Sequence, residues 1–253
     1  MCENYKQLLE KLNLLKQEYC MTGLKLELET EIISTAEIDL AKELANKTSI
    51  ELTLKTCGCS AVSDIFLAKA LSIKNLLTPM IESPYALEKF DTNVKNICGC
   101  DNNIHLLFNI ETIDGVKNID KILSCKSINS FKTIVFGRND FCSSLGKNSD
   151  FADSQEIFNY ASLIMKKSES SNLNFILGGN ITKKSFDFLN KLDSPCFKGF
   201  ETRKIVFDKE ILKKDYQKAL DTALEFELLW LNSKSFKNPL DEQRQIILRK
   251  RFD

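Results

Sequence analysis

Leu106-Leu107-Phe108-Asn109-Ile110-Glu111-Thr112 and Thr133-Ile134-Val135-Phe136-Gly137-Arg138-Asn139-Asp140 are built alike. Each begins as an apolar run and ends abruptly in polar residues that include one carboxylate, Glu111 in the first and Asp140 in the second. Buried strands that deliver an acid at their C-terminal ends are how a β/α barrel assembles a metal or acid–base site. The pair is read as the ligands of one divalent cation. Both side chains offer only oxygen, with no His or Cys ligand set nearby, and hard oxygen donors favour Mg²⁺ or Mn²⁺ over Zn²⁺. The alternative is that each acid caps the following helix or joins a salt bridge.

Working outward, residues 3–19 place Leu8, Leu9, Leu12, Leu14 and Leu15 at helical spacing, which makes a leading helix. Residues 24–29 alternate strictly and read as the first strand. Ser34-Thr35-Ala36-Glu37 is a capping box that opens a helix to about residue 47. Residues 50–55 are a second strand, followed by the Gly58 turn and a helix over 60–71. A third strand over 76–80 leads to Ser83-Pro84, with Ser as N-cap and Pro at the first helical position. Strand 104–110 precedes helix 114–125, and strand 132–137 precedes helix 154–169. Strand 173–177 closes in Gly178-Gly179-Asn180 before a helix over 182–192. Residues 197–207 hold the last two short strands, 209–233 one long helix and 241–251 a final one.

Strands alternating with helices of about 10–15 residues give βαβ units and a parallel sheet. Eight such strands close a barrel. The expected fold class is therefore α/β, a (β/α)8 TIM barrel with an N-terminal helix and extra C-terminal helices. It forms one domain: a leading helix over 1–20, the barrel core over 23–207 and C-terminal helices over 208–253. The rival is an open doubly wound sheet, whose dinucleotide-binding form would need a Gly-x-Gly-x-x-Gly after the first strand that this chain lacks.

The totals agree with one barrel. The chain has 253 residues, 43% hydrophobic and 28% charged, which is enough to bury a large core. Lys plus Arg and Asp plus Glu are 35 each, so zero net charge argues against nucleic-acid and membrane surfaces as partners. No stretch approaches the roughly 18 apolar residues of a membrane span, and the first residues lack a signal peptide's basic start and apolar core. Nine cysteines, an odd number, fit reduced thiols, so a cytoplasmic location is expected.

Taken together, Asn109-Ile110-Glu111-Thr112 and Gly137-Arg138-Asn139-Asp140-Phe141 resemble the HpcH/HpaI aldolase and citrate lyase β-subunit family. Pro79-Met80-Ile81-Glu82-Ser83-Pro84-Tyr85, Ser143-Ser144-Leu145-Gly146 and Gly178-Gly179 fit the same pattern, and the likeness runs from about Gly23 to Phe207. The resemblance implies a barrel that uses Mg²⁺ or Mn²⁺ to cleave or form a carbon–carbon bond through a pyruvate-type or acyl-thioester enolate. It implies Glu111 and Asp140 as metal ligands and Asn109 beside the metal-bound substrate. Where the family carries an arginine against the substrate carbonyl and developing enolate, at the end of strand two, this chain has Lys55. Where aldolases of the family carry a His after strand one, this chain has Glu27-Leu28-Glu29-Thr30. Its one histidine, His105, falls at the start of strand four, at the far end of the barrel.

Those departures shape the remaining candidates. Lys55 would add a positive charge near the substrate oxygen. It could instead form a Schiff base or pair with Glu27 or Glu29. Glu29, on the polar side of the first strand with Glu27, is the candidate acid/base. Arg138 either binds a substrate carboxylate or pairs with a neighbouring acid. Gly58 and Gly179 leave backbone room for substrate or make tight turns. Cys57-Gly58-Cys59 and Cys98-Gly99-Cys100 have the look of a zinc set. They fall at opposite ends of the barrel, and their spacing is not the usual Cys-x-x-Cys. The segment over 240–252, with Ile246, Ile247 and Phe252, suits a partner subunit or a plain surface helix, and a homo-oligomer is expected from the resemblance. The expected function is a divalent-metal-dependent carbon–carbon lyase acting on a small 2-oxo-4-hydroxy acid. The alternatives are a citrate-lyase-like cleavage of an acyl-CoA thioester and a catalytically inactive barrel kept as a binding subunit.

Overall fold

The strands close into one barrel in chain order: β1 (Met21–Glu27), β2 (Glu51–Lys55), β3 (Asn75–Thr78), β4 (His105–Ile110), β5 (Phe131–Gly137), β6 (Asn174–Gly178), β7 (Phe197–Glu201) and β8 (Ile205–Asp208). This is a computed structural model, and it describes residues 2–100, 103–234 and 237–250. Around the barrel lie α1 (Cys2–Tyr19), α2 (Thr35–Thr48), α3 (Val62–Ala70), α4 (Pro84–Cys98), α5 (Ile113–Lys117), α6 (Ile119–Leu123), α7 (Arg138–Ser144), α8 (Gln155–Ser170), α9 (Phe186–Asn190), α10 (Tyr216–Ser233) and α11 (Pro239–Arg249).

The TIM-barrel expectation holds, with one change at its seam. β1 to β7 pair parallel, whereas β8 runs antiparallel to both β7 and β1. Only residues 202–204 separate β7 from β8. A parallel connection needs a crossover of a dozen or more residues, so a turn this short forces a hairpin. Helix α1 packs against α2 and α10, which fills the helical ring where a β7–β8 crossover would lie. Lys11 reaches Glu225 on α10 at 2.5 Å, and Lys16 donates to the Thr48 carbonyl that ends α2.

Local caps explain most element boundaries. Ser34 and Glu37 form the expected capping box, and Ser83 caps α4 with Pro84 in its first turn. The single helix expected over 209–233 is broken instead. Asp208 caps a 3-10 turn at Lys209–Lys213, and Asp215 accepts from Lys218 to start α10 afresh. Two short helices, α5 and α6, replace the one expected over 114–125. The helix expected over 182–192 is a 3-10 turn followed by α9. Helix α11 opens with a capping box between Asn238 and Asp241, and the expected contributions of residues 251 and 252 lie outside the described residues.

The strand register sorts the two faces. Paired residues share a face, so Lys25 with Thr53, Glu27 with Lys55, and Asn109 with Val135 point inward together. The alternate set, among them Leu24, Leu54, Leu76, Phe108, Ile134, Phe175 and Phe207, is buried in the apolar layer under the helices. Barrel interiors are usually filled by branched aliphatic residues. Here the upper interior is charged.

Candidate active site

A cleft of about 710 Å³ opens over the C-terminal ends of the strands. Lys25, Glu27, Lys55, Asn109, Glu111, Gly137, Asp140, Gly179 and Glu201 all line it. This is the end at which β/α barrels carry their chemistry.

Glu111 follows β4 directly and is only 2% exposed. Its Oε1 accepts from the Met80 backbone N–H at 2.9 Å, and its Oε2 accepts from Asn109 Nδ2 at 2.6 Å. Lys55 Nζ stands 3.5 Å from Oε2. Gly137 makes this arrangement possible, because a Cβ there would fall 2.6 Å from Glu111 Oε2. Burial pushes the Glu111 carboxyl above its ordinary pKa, against the opposing pull of Lys55 and the two hydrogen bonds, and the Asp140 charge adds to the rise. Asp140 sits in the first turn of α7, facing the same cleft. Its carboxylate makes no ion pair or side-chain hydrogen bond among the described residues. The two acids expected from sequence are thus brought together.

Lys55 ends β2 and is 5% exposed. Besides Glu111 it meets Glu29 Oε2 at 2.6 Å. Burial pulls its pKa down, but the surrounding carboxylates, Glu111 first and then Glu27, outweigh that and raise it. The side chain is therefore a fixed cation. Glu29 lies past the end of β1 and is not among the residues lining the cleft. The expected acid/base thus reaches the site only through Lys55, and the β1 carboxylate in the cleft is Glu27.

Deeper in the barrel a second lysine is clamped. Lys25 Nζ lies 2.8 Å from Glu27 and 2.5 Å from Glu201. Burial lowers its pKa and the two carboxylates more than reverse that, Glu201 foremost. Burial would raise Glu27, but Lys25, Lys55 and Arg203 hold it well below the usual carboxylate range. The alternation of residues 24–29 already puts Lys25 on the polar side of β1. Glu201 and Arg203 carried no such signal, since they come from the β7–β8 hairpin.

Arg138 takes the structural one of its two expected roles. It is fully buried, with Nη1 2.6 Å from Asp153 and 3.1 Å from the Ala152 carbonyl. Its Nε donates to the Gly178 and Gly179 carbonyls, and its guanidinium stacks over Phe188. It is a pin between loops and is not presented to substrate. Gly58 is not among the residues lining the cleft and has open space around it, at the turn after β2. Gly179 does line the cleft. Its φ is +79°, and a Cβ would fall 2.5 Å from the Asn139 nitrogen, so it lets the β6 loop close onto α7. His105 opens β4 at the opposite end, as expected. Cys57-Gly58-Cys59 follows β2 and Cys98-Gly99-Cys100 ends α4, also at opposite ends.

The donor set fits a hard cation. Among the described residues no group of three or more His, Cys, Asp or Glu is arranged to hold a metal. Glu27, Glu111, Asp140 and Glu201 outnumber Lys25 and Lys55 around the barrel floor, an excess of negative charge that a divalent cation would offset. Asn109 Oδ1, buried and without a hydrogen-bond donor, is an additional oxygen beside Glu111.

Known structures share the architecture. Citrate synthase SbnG is similar over 86% of this chain and 89% of its own, with 13% identity and a TM-score of 0.59. An HpcH/HpaI aldolase/citrate lyase family protein from Burkholderia cenocepacia is similar over 77% and 83%, with 9% identity and a TM-score of 0.61. RipC from Yersinia pestis is similar over 71% and 82%, with 16% identity and a TM-score of 0.52. At such identities the likeness concerns the fold. No curated protein matches the sequence. The model of the HpcH/HpaI aldolase/citrate lyase family matches residues 59–177. That span holds β3 to β5 and most of β6, with Asn109, Glu111, Gly137 and Asp140, so the likeness to the HpcH/HpaI aldolase/citrate lyase family falls on the part of the barrel that carries the acid pair.

Proposed function

We propose that the chain is a divalent-metal-dependent carbon–carbon lyase of the aldolase type, which cleaves or forms a small 2-oxo-4-hydroxy acid. One observation carries the reading: Glu111 and Asp140 end up in one cleft at adjacent strand ends, with the Lys55 ammonium 3.5 Å from Glu111. The family match supports lyase-type chemistry. Glu111 and Asp140 would hold Mg²⁺ or Mn²⁺, with the Asn109 Oδ1 oxygen beside them. A divalent cation bound there would act as a Lewis acid on the ketone oxygen and stabilise enolate charge.

The chain's own groups do the rest. Lys55 keeps a permanent positive charge beside the acid pair, where charge develops on the substrate oxygen. Glu29 fixes the Lys55 ammonium through its 2.6 Å contact. Asn109 holds the Glu111 carboxylate in place while leaving its own oxygen free. Assembly into a homo-oligomer through α11, whose Ile246 and Ile247 are exposed, belongs to the same reading and would show in light scattering.

Turnover of a panel of 2-oxo-4-hydroxy acids, with and without a chelator, tests the proposal. Cleavage to pyruvate or a near relative that stops in chelator and returns with Mg²⁺ is expected. Turnover unaffected by chelator would overturn it. A preference for CoA thioesters would select the citrate-lyase-like reading.

A further inference from the structure

The floor of the cleft holds two carboxylate seats of one design. β5 and β6 both end in glycine, and Gly137 and Gly178 are paired across the two strands. Each glycine gives way to a carboxylate from the strand on its outer side. A Cβ at Gly137 would fall 2.6 Å from Oε2 of Glu111, which follows β4. A Cβ at Gly178 would fall 3.1 Å from Oε1 of Glu201, which ends β7. A second acid and a lysine complete each seat: Asp140 and Lys55 beside Glu111, Glu27 and Lys25 beside Glu201. All of these side chains line the cleft.

The seats differ in where the ammonium stands. Lys55 Nζ is 3.5 Å from Glu111 and is drawn off to Glu29 at 2.6 Å, and the Asp140 carboxylate makes no ion pair among the described residues. That ammonium does not bridge the two acids. At the other seat Lys25 Nζ lies between both acids, 2.8 Å from Glu27 and 2.5 Å from Glu201, and the residue is 4% exposed. Two carboxylates that share a buried site repel each other unless a cation stands between them. Here the cation arrives on a side chain from β1, so it loses no translational freedom in taking its place. Thr30 Oγ1 donates to Glu27 Oε2 at 2.7 Å, so the second oxygen of that acid is satisfied as well.

We infer that Lys25 is a tethered cation: its ammonium fills a second cation seat, between Glu27 and Glu201, and confines an exchangeable divalent ion to Glu111 and Asp140. The use of an ion at Glu111 and Asp140 rests on the lyase reading, whereas the tethered cation does not. The seat that Lys25 closes suits a small hard cation, because both acids that face it there offer oxygen.

Lys25→Met tests the inference. Methionine keeps most of the lysine stem but ends one atom short of Nζ and carries no charge. Bound Mn²⁺ is counted in the full chain from the loss of its free-ion electron paramagnetic resonance signal, and thermal melts are run in Mn²⁺ and in chelator. Lys25→Met is expected to bind one more Mn²⁺ per chain than the wild type. It should melt lower in chelator, because two buried carboxylates lose their partner. Saturating Mn²⁺ should then raise its melting temperature by at least about 3 °C more than it raises that of the wild type. Adding Glu201→Gln to Lys25→Met should remove both gains. Equal Mn²⁺ counts in wild type and Lys25→Met, the outcome for a lysine that is only a structural ion pair, would overturn the inference. So would a gain that survives Glu201→Gln, or a Lys25→Met chain that stays unfolded in saturating Mn²⁺. Failure of the lyase reading would show separately, as a wild type with neither bound Mn²⁺ nor turnover beside one ion gained in Lys25→Met.

Discussion

Glu111 Oε2 occupies the space that a side chain at Gly137 would take: a Cβ there would lie 2.6 Å from that oxygen and 3.0 Å from the Glu111 Cβ. The β4 carboxylate therefore lies across the end of β5 because β5 ends in glycine. Gly137→Ala must displace a carboxylate already fixed by Met80, Asn109 and Lys55. Overpacking of this kind costs about 1–3 kcal/mol. Turnover should fall and Mg²⁺-induced thermal stabilisation should shrink together. Gly178→Ala, where the new Cβ would meet Glu201 Oε1 at 3.1 Å, should be milder. Unchanged Mg²⁺ stabilisation in Gly137→Ala would separate Glu111 from the metal.

Asp140 gives the cleaner metal test because its side chain has no ion-pair or hydrogen-bond partner to lose among the described residues. Asp140→Asn should leave the melting temperature of the metal-free protein unchanged or raise it slightly, since it removes a like charge that acts on Glu111 and breaks no ion pair among the described residues. It should also abolish the Mg²⁺-induced shift and the Mg²⁺-dependent turnover. A retained shift would move the ion elsewhere in the cleft.

Much of this architecture was legible in the chain. β1 and β2 are legible as alternating stretches and β4 to β6 as short apolar runs with a polar stop, and the acids at the ends of β4 and β5 can be read as a pair. The reversed β8 was not, because the three residues Thr202-Arg203-Lys204 look like any loop until they are seen to be too short for a crossover. Local pattern also could not show that Arg138 turns away from the cleft, since Asp153 and Phe188 reach it only through tertiary packing. The alternation of residues 24–29 makes Glu29 the acid nearest the expected strand end. The strand in fact stops at Glu27, and the following turn carries Glu29 behind Lys55.

The Lys25–Glu27–Glu201 clamp sets a pH window. Glu27 has a folded pKa below its ordinary 4.5, so its contribution to stability is present above that value and fades as pH falls below it. Lys25 has a folded pKa above 10.5, so its contribution is present below that value and is lost as pH rises through the folded pKa. Thermal melts should therefore be flat between these limits and fall on the acid side. Glu27→Gln should lower stability at pH 7 and flatten the acid limb, in melts followed by circular dichroism from pH 3 to 7. An acid limb as steep as wild type would assign the acid lability to other carboxylates.

Glu111 and then Glu27 favour the Lys55 ammonium over the free amine that a Schiff base needs. Borohydride added in the presence of pyruvate should give no adduct at Lys55 by mass spectrometry. Lys55→Gln should reduce kcat by roughly 10²–10³, the range seen when one donor to a developing oxyanion is removed. Lys55→Arg should recover part of that loss, because it restores the charge between Glu29 and Glu111. A trapped Lys55 adduct would replace the metal-enolate mechanism with covalent catalysis.

Arg138 should behave as a structural pin. Its guanidinium sits on Asp153, the four carbonyls of Gly178, Gly179, Asn180 and Ala152, and the Phe188 ring. Removing one partner of a buried pair costs about 3–5 kcal/mol because the other charge is left uncompensated. Arg138→Gln should show that loss in urea unfolding. Arg138→Lys keeps the charge but not the planar fork, and should lose less. Both variants, assayed where they remain folded, should keep the wild-type KM for the oxo acid. A KM that rises at least tenfold in Arg138→Lys without loss of stability would return Arg138 to the substrate site, which its complete burial among the loops argues against.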